Sequence, residues 1–296
     1  MALQLTKGSI ILLAHRLTSR IVNRLRPPTS HDIIVPSGTV SLFGTTSEHV
    51  EDPGTTRVRP EEIQALLEGA APLIPGIRNF RALRAWAGVR PLVRPAAWPE
   101  GMPLPRRHKV IDHGGEGAAA FFTVCGGSLT THRSMAEDVG DQLCRFLGWN
   151  RPSVSATTPL LATGRAFWRP VAGYAQADAA AGFGGLLCEC ESVPASAVRA
   201  AAATGPTLEE LRRRLRIGFG PCQGTFCAPR AAGLLAAADP ARERHAELRD
   251  FWLERLKGMA PTGWGPQARQ ILLSDHLFQR TLGLHAAVDP PAGDRR

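Results

Sequence analysis

The chain has 296 residues, 44% of them hydrophobic, enough for one large domain or two ordinary ones with a substantial core. No run of about 18 apolar residues occurs, so no membrane-spanning helix is expected, while peripheral attachment through a partner stays open. A net charge of +9 would permit nucleic-acid binding, but Arg is scattered, Tyr occurs once and no aromatic–basic stripe appears. Nucleic acid is therefore not expected as a partner. Six cysteines without a secretory signal point to a reducing cytoplasm.

In chain order, the first thirty residues carry Lys7, Arg16, Arg20, Arg24 and Arg26 with no acid, as a transit peptide would. Lys7-Gly8 followed by Ser9–Leu13 reads instead as a turn and a buried strand, so this stretch is taken as part of the fold. Further strands are expected at Asp32–Val35, Thr39–Gly44, Lys109–Asp112 and Phe121–Cys125. Pro60-Glu61-Glu62 opens a helix with Ile63, Leu66, Leu67 and Ala70 on one face. A second helix follows Thr130-Thr131, with Met135, Val139, Leu143 and Phe146 as its stripe. Residues 1–150 are thus expected to be α+β, around a mostly antiparallel sheet. Residues 151–186, rich in Pro, Ala, Gly and Thr, read as a connector.

From 187 to 296 the pattern changes to short helices. One is expected over Ala195–Ala203. The next starts with a capping box, Thr207-x-x-Glu210, and buries Leu208, Leu211 and Leu215. Its other face, Arg212, Arg213, Arg214 and Arg216, reads as solvated. A third covers Ala228–Ala238, and Asp239-Pro240 reads as the cap of a fourth that ends at Gly258.

Within this part lie Cys188, Cys190, Cys222 and Cys227, spaced C-x-C, 31 residues, then C-x4-C. Both pairs sit in polar, Gly- and Pro-marked turns, poor places to bury small hydrophobes. Four thiolates in two close pairs can hold a [2Fe–2S] cluster or one tetrahedral zinc. Cys125 and Cys144 lie in apolar periodic segments and read as packing residues. A second chemistry-bearing stretch is Arg90 before Pro91, together with Gly126-Gly127-Ser128-Leu129-Thr130-Thr131. A Gly-Gly turn running into Thr-Thr and a helix presents N–H groups beside the positive end of the helix dipole. Such a turn suits an anion or the electron-rich edge of a flavin, and a plain tight turn with a cap would look the same. Arg90 reads either as a surface residue or as a clamp for a substrate anion.

The cysteine spacing departs from the C-x2–4-C knuckles of structural zinc. It resembles the helical bacterioferritin-associated ferredoxin-like [2Fe–2S] domain, whose second pair lies in G-x-C-Q-G-x-x-C; here Gly220-Pro221-Cys222-Gln223-Gly224-Thr225-Phe226-Cys227 stands in that pattern. Lys7-Gly8-Ser9, Ile33-Ile34-Val35-Pro36, Phe43-Gly44-Thr45-Thr46-Ser47, the Arg90 and Gly126 segments, Cys188-Glu189-Cys190-Glu191 and Glu254-Arg255-Leu256-Lys257-Gly258 extend the likeness over nearly the whole chain. Together they resemble the FAD-dependent glycerol-3-phosphate dehydrogenases, most closely the catalytic A subunits of the anaerobic bacterial enzymes. The resemblance implies a partial FAD-dependent oxidoreductase region, with a small all-helical [2Fe–2S] domain after it. By the same resemblance Gly126, Gly127, Leu129, Thr130 and Thr131 contact the flavin, Arg90 binds substrate at the catalytic centre, and the four cysteines hold the cluster. Glycerol 3-phosphate would be oxidised to dihydroxyacetone phosphate, with electrons leaving through partner subunits to a membrane quinone. That places the protein in the cytoplasm, or peripherally at the inner membrane through those subunits.

Two departures divide the expectation. The family opens with a βαβ unit carrying G-x-G-x-x-G, absent from these 296 residues; Gly115-Glu116-Gly117-Ala118-Ala119-Ala120 lies between two strand candidates with no helix after it. The family's Gly-Gly-Lys is Gly126-Gly127-Ser128, and the usual Tyr before Arg133 is His132. FAD is then expected only with a complementing dinucleotide-binding domain, supplied by another chain or by the rest of a longer one. The alternatives are a stand-alone [2Fe–2S] electron-transfer or scaffold protein and, more distantly, a zinc-stabilised interaction protein.

Overall fold

A computed structural model describes residues 2–24, 33–95, 98–99, 102, 104–160 and 185–284. The strands are β1 (Ala2–Leu13), β2 (Val22–Asn23), β3 (Ile33–Ser37), β4 (Val40–Gly44), β5 (Glu48–Val50), β6 (Ala82–Arg94), β7 (Lys109–Asp112), β8 (Phe122–Cys125), β9 (Leu186–Cys188) and β10 (Val193–Pro194). The α-helices are α1 (Pro60–Ala70), α2 (His132–Phe146), α3 (Ala195–Ala202), α4 (Leu208–Leu215), α5 (Cys227–Ala238), α6 (His245–Met259) and α7 (Pro266–His276). Most of the expected connector, residues 161–184, lies outside the described residues.

The chain forms two compact units, Met1–Gly8, Ser47–Thr56 and Gly88–Ala166 in one, Ser9–Thr46, Arg57–Ala87 and Phe167–Arg296 in the other. In the larger unit β2, β3, β4 and the second half of β1 run in that order, each antiparallel to its neighbour. Alternation along these strands sends Ile11, Leu13, Ile34 and Phe43 into one core with Ile63, Leu66 and Ala70 of α1. The buried Glu62 carboxylate closes the start of α1, accepting from Arg59 N at 2.9 Å and from the Ser9 hydroxyl at 2.6 Å. A second core joins α3 to α7. Trp252 stacks on Phe278 with ring centroids 4.8 Å apart, beside Val198, Leu208, Leu211 and Leu235.

In the smaller unit Leu5–Lys7 of β1 pair with β5, and β7 and β8 form a separate antiparallel hairpin that is followed by α2.

The structure alters four local readings. Lys7-Gly8 is no turn but the middle of β1, because Gly8 leaves room for a neighbouring guanidinium: a Cβ there would lie 2.1 Å from Arg90 Nη2. Strand β6, which carries Gly88 and Pro91, has no counterpart in the sequence pattern. Asp239 follows α5 rather than capping the next helix; α6 starts at His245, where the Glu243 carboxylate accepts from the first N–H groups. Cys125 and Cys144 are only partly buried, so neither is a core residue.

Candidate functional site

The four cysteines come together although their pairs lie on different elements. Cys188 ends β9, and Cys190 follows in the turn that returns to β10, whose Val193 pairs with Cys188. Cys222 lies in the loop after α4, and Cys227 is the first residue of α5. Cys188 and Cys227 are buried, whereas Cys190 and Cys222 keep some exposure. The sulfurs are linked by side-chain hydrogen bonds in the order Cys188, Cys227, Cys222, Cys190, so the sequence pairs are joined through Cys188–Cys227 and Cys222–Cys190.

Backbone N–H groups converge on these sulfurs. Gly218 and Glu191 donate to Cys188, Cys222 donates to Cys190, and Gly224 and Phe226 donate to Cys222. Contact with Cys190 and then Cys227, helped by those N–H groups, holds the pKa of the Cys222 thiol down to about 2. The neighbouring Cys227 lowers that of Cys188 to about 7. Cys190 and Cys227, which keep their protons, are pushed up, first by these sulfur neighbours and then by burial. Gln223 and Gly224 take left-handed backbone angles that turn the loop around Cys222. The Gln223 amide donates to Gly220 O at 2.8 Å, and the Thr225 hydroxyl donates to Cys222 O at 2.8 Å. Gly220 has to be glycine, since a Cβ would lie 2.2 Å from Cys190 Cβ.

The donor set fits a [2Fe–2S] cluster: four thiol groups, each contacting another, with N–H donors that offset negative charge. Among the described residues no group of three or more His, Cys, Asp or Glu side chains is placed to hold one metal ion.

The arginines expected to form a solvated face divide. Arg213 and Arg214 are exposed. Arg212 pairs with Glu209 at 2.6 Å and lies over Phe219. Arg216, left-handed at the end of α4, turns back so that its Nε meets Glu191 Oε2 at 2.8 Å. Its Nη2 donates to the Ser37 hydroxyl at 3.2 Å, and Arg81 donates to Pro221 O at 3.0 Å. The β3–β4 hairpin thereby becomes a wall of the cysteine site. Sequence reasoning missed this, and its one local signal was an acid directly after C-x-C.

In the smaller unit, Arg90 lies partly buried on β6 against Gly8. Burial lowers its pKa, and the nearby Arg106 cation lowers it further. Gly126 and Gly127 follow β8 with left-handed angles and pack on Arg107 O and Met135 Sδ. Ser128 N donates to Thr131 Oγ1 at 3.0 Å, and Thr131 N to Ser128 O at 3.0 Å, so part of the turn's hydrogen bonding is internal. Leu129 is 88% exposed. The Gly115–Gly117 string lies in the loop of the β7–β8 hairpin, and the chain then returns antiparallel into β8. It is no phosphate-binding βαβ turn, and the described residues hold no fit for the adenine and pyrophosphate half of FAD.

Two known families match parts of the chain. The family of FAD dependent oxidoreductases matches residues 2–141, and the BFD-like [2Fe-2S] binding domain matches residues 186–237. The A subunit of anaerobic glycerol-3-phosphate dehydrogenase from Escherichia coli (strain K12) is 36% identical over 94% of this chain and 56% of its own length. The chain is similar to this dehydrogenase A subunit over nearly its whole length. The A1 subunit of the anaerobic enzyme from Haloferax volcanii is 30% identical over 98% of this chain and 53% of its own length. The chain thus spans about half the length of the curated relatives it matches. A glycerol-3-phosphate dehydrogenase from Bacillus halodurans, solved with FAD, aligns at TM-score 0.43 and 17% identity over 94% of this chain and 57% of that one. The two matched families carry FAD and a [2Fe–2S] cluster, and the four cysteines that lie within the second match are brought together here.

Proposed function

We propose that this chain is the C-terminal, cluster-bearing part of a quinone-linked glycerol-3-phosphate dehydrogenase catalytic subunit. The whole assembly would oxidise sn-glycerol 3-phosphate to dihydroxyacetone phosphate through FAD and pass the electrons on through the cluster. The observation that carries this reading is the four-cysteine site with its ring of N–H donors. When bound, the cluster supplies one-electron transfer. The chain's own part is to shield Cys188 and Cys227 from water and to direct N–H groups at the sulfurs.

Substrate binding is the role of Arg90. A cation held partly buried beside Arg106 gains from a dianion, and a guanidinium can take phosphate oxygens in pairs. Gly126, Gly127, Leu129, Thr130 and Thr131 would face the flavin. A dinucleotide-binding domain would complete the FAD site, and the exposed apolar side chains around α2 support the need for one: Phe121 is 58% exposed, Phe146 49% and Trp149 56%. Other subunits of the dehydrogenase and a membrane quinone would be the remaining partners. No helix among the described residues is long and apolar enough to cross a membrane; the location we propose is cytoplasmic, or peripheral at the membrane through those subunits.

Ser128 in place of the family Lys favours a second reading, a stand-alone [2Fe–2S] electron-transfer or scaffold module. Absorbance spectroscopy with iron, sulfide and flavin analysis of anaerobically purified chain tests the proposal. The expected result is two irons and two sulfides per chain without stoichiometric FAD. Zinc as the only metal would overturn the cluster. FAD at one per chain would overturn the need for a complementing domain.

A further inference from the structure

We propose that, with the cluster bound, the Thr39 hydroxyl at the tip of the β3–β4 hairpin turns to donate a hydrogen bond to the sulfur of Cys190 and thereby raises the reduction potential of the cluster. The inference rests on the cluster reading above. Ser37 pairs with Val40, so Gly38 and Thr39 form a two-residue loop. Thr39 Oγ1 is buried and has no hydrogen-bond partner among the described residues. A buried hydroxyl left this way costs about 1–3 kcal/mol, so a native protein that keeps one has a use for it.

The surroundings indicate that use. A Cβ on Gly220 would lie 3.1 Å from Thr39 Oγ1 and 2.9 Å from Cys190 Sγ. The hydroxyl and the sulfur therefore flank the same backbone atom, and glycine leaves no side chain to separate them. The loop is fastened to the cysteine turn on the residues just before Thr39. A Cβ on Gly38 would lie 2.6 Å from Glu191 Oε1, and Ser37 accepts from Arg216, which is paired with Glu191 at 2.8 Å. Glu191 directly follows Cys190, and its side chain is only 5% exposed. Ser37, Glu191 and Arg216 thus hold together the oxidoreductase match and the [2Fe-2S] match, which are separate in sequence.

A thiolate ligand has lone pairs to spare, and Cys190 Sγ already accepts the Cys222 N–H. A second donor would stabilise the reduced state, the more negative of the two, and so raise the potential. Thr39 is thus a positioning and tuning residue; it donates no electrons and binds no iron.

The test uses the full chain carrying its cluster, titrated with redox mediators and followed by EPR. Thr39→Val keeps the shape and removes the hydroxyl, while Thr39→Ser keeps the hydroxyl. In Thr39→Val the reduced-to-oxidised ratio at a fixed poise should fall about tenfold, as loss of a hydrogen bond to a charged group implies, or about 59 mV for one electron. Thr39→Ser should stay close to the parent. Pulsed EPR in D2O should show one exchangeable hydrogen coupled to the cluster, beyond those of the backbone N–H donors, in the parent and in Thr39→Ser, and should lack it in Thr39→Val. An unchanged potential and coupling in Thr39→Val, or an equal shift in Thr39→Ser, would overturn the proposal. Should Thr39→Val not assemble iron and sulfide, Thr39→Ala takes its place, and retention of the coupled proton there overturns it equally. A parent chain without any [2Fe–2S] spectrum would instead overturn the cluster reading, which keeps the two failures apart.

Discussion

The two units differ sharply in how they use similar side chains. In the larger, Phe251, Trp252, Met259 and Phe278 are all less than 7% exposed and build a closed core beneath the cysteines. In the smaller, α2 has an equally clear apolar stripe, yet none of its residues is buried. Among the described residues from 94 to 186 no hydrophobic side chain is fully buried. An amphipathic helix and a two-stranded hairpin do not stabilise each other well without a third layer. The larger unit thus has a closed apolar core around the four cysteines, while the smaller one leaves its apolar side chains partly exposed.

Three substitutions would break or sharpen that contrast. Cys222→Ser has the largest expected effect, because it removes the sulfur that contacts two of the other cysteines and accepts from two backbone N–H groups. Iron and sulfide analysis should show loss of the cluster; full retention would mean that another residue serves as ligand. Trp252→Ala comes next. Its indole is 1% exposed, stacks on Phe278 and donates to Asp275 at 3.2 Å. Chemical denaturation should show a loss of about 3–5 kcal/mol, and a change below about 1 kcal/mol would mean that this core is loosely packed. Phe146→Ala is the smallest. With the ring 49% exposed, the isolated chain should change by no more than about 0.5 kcal/mol. A loss as large as that of Trp252→Ala would show that α2 is already covered, either by residues outside those described or by a second copy.

How legible all this was in the sequence depends on range. The hairpin strands Lys109–Asp112 and Phe122–Cys125, helix α1 and the Thr207 cap follow from periodicity and turn chemistry within a few residues, and they stand almost as read. Strand β6 does not, since Gly88, Pro91 and its charged residues interrupt any alternation. It is held by pairing with β1, remote in sequence. The stripe on α2 was read correctly as amphipathic. Its burial could not be read, because a stripe specifies an apolar face without saying what lies against it. The arginines of α4 show the same limit: Arg213 faces solvent as expected, while Arg216 is drawn back by Glu191, 25 residues earlier.

By itself the sequence determined the donor set: four cysteines in two close pairs, with Gly220 and Gly224 placed where the loop must bend and pass closely. These are local properties, fixed by which residues accept left-handed angles and which side chains bind soft metals. Only the tertiary structure decided that the sulfurs associate across the pairs, and that a hairpin from the beginning of the chain closes one side of the site. Those contacts join residues as far apart as Arg216 with Ser37 and Arg81 with Pro221, 179 and 140 positions away in sequence. No spacing rule reaches that far, because such neighbours are selected by the packing of whole elements.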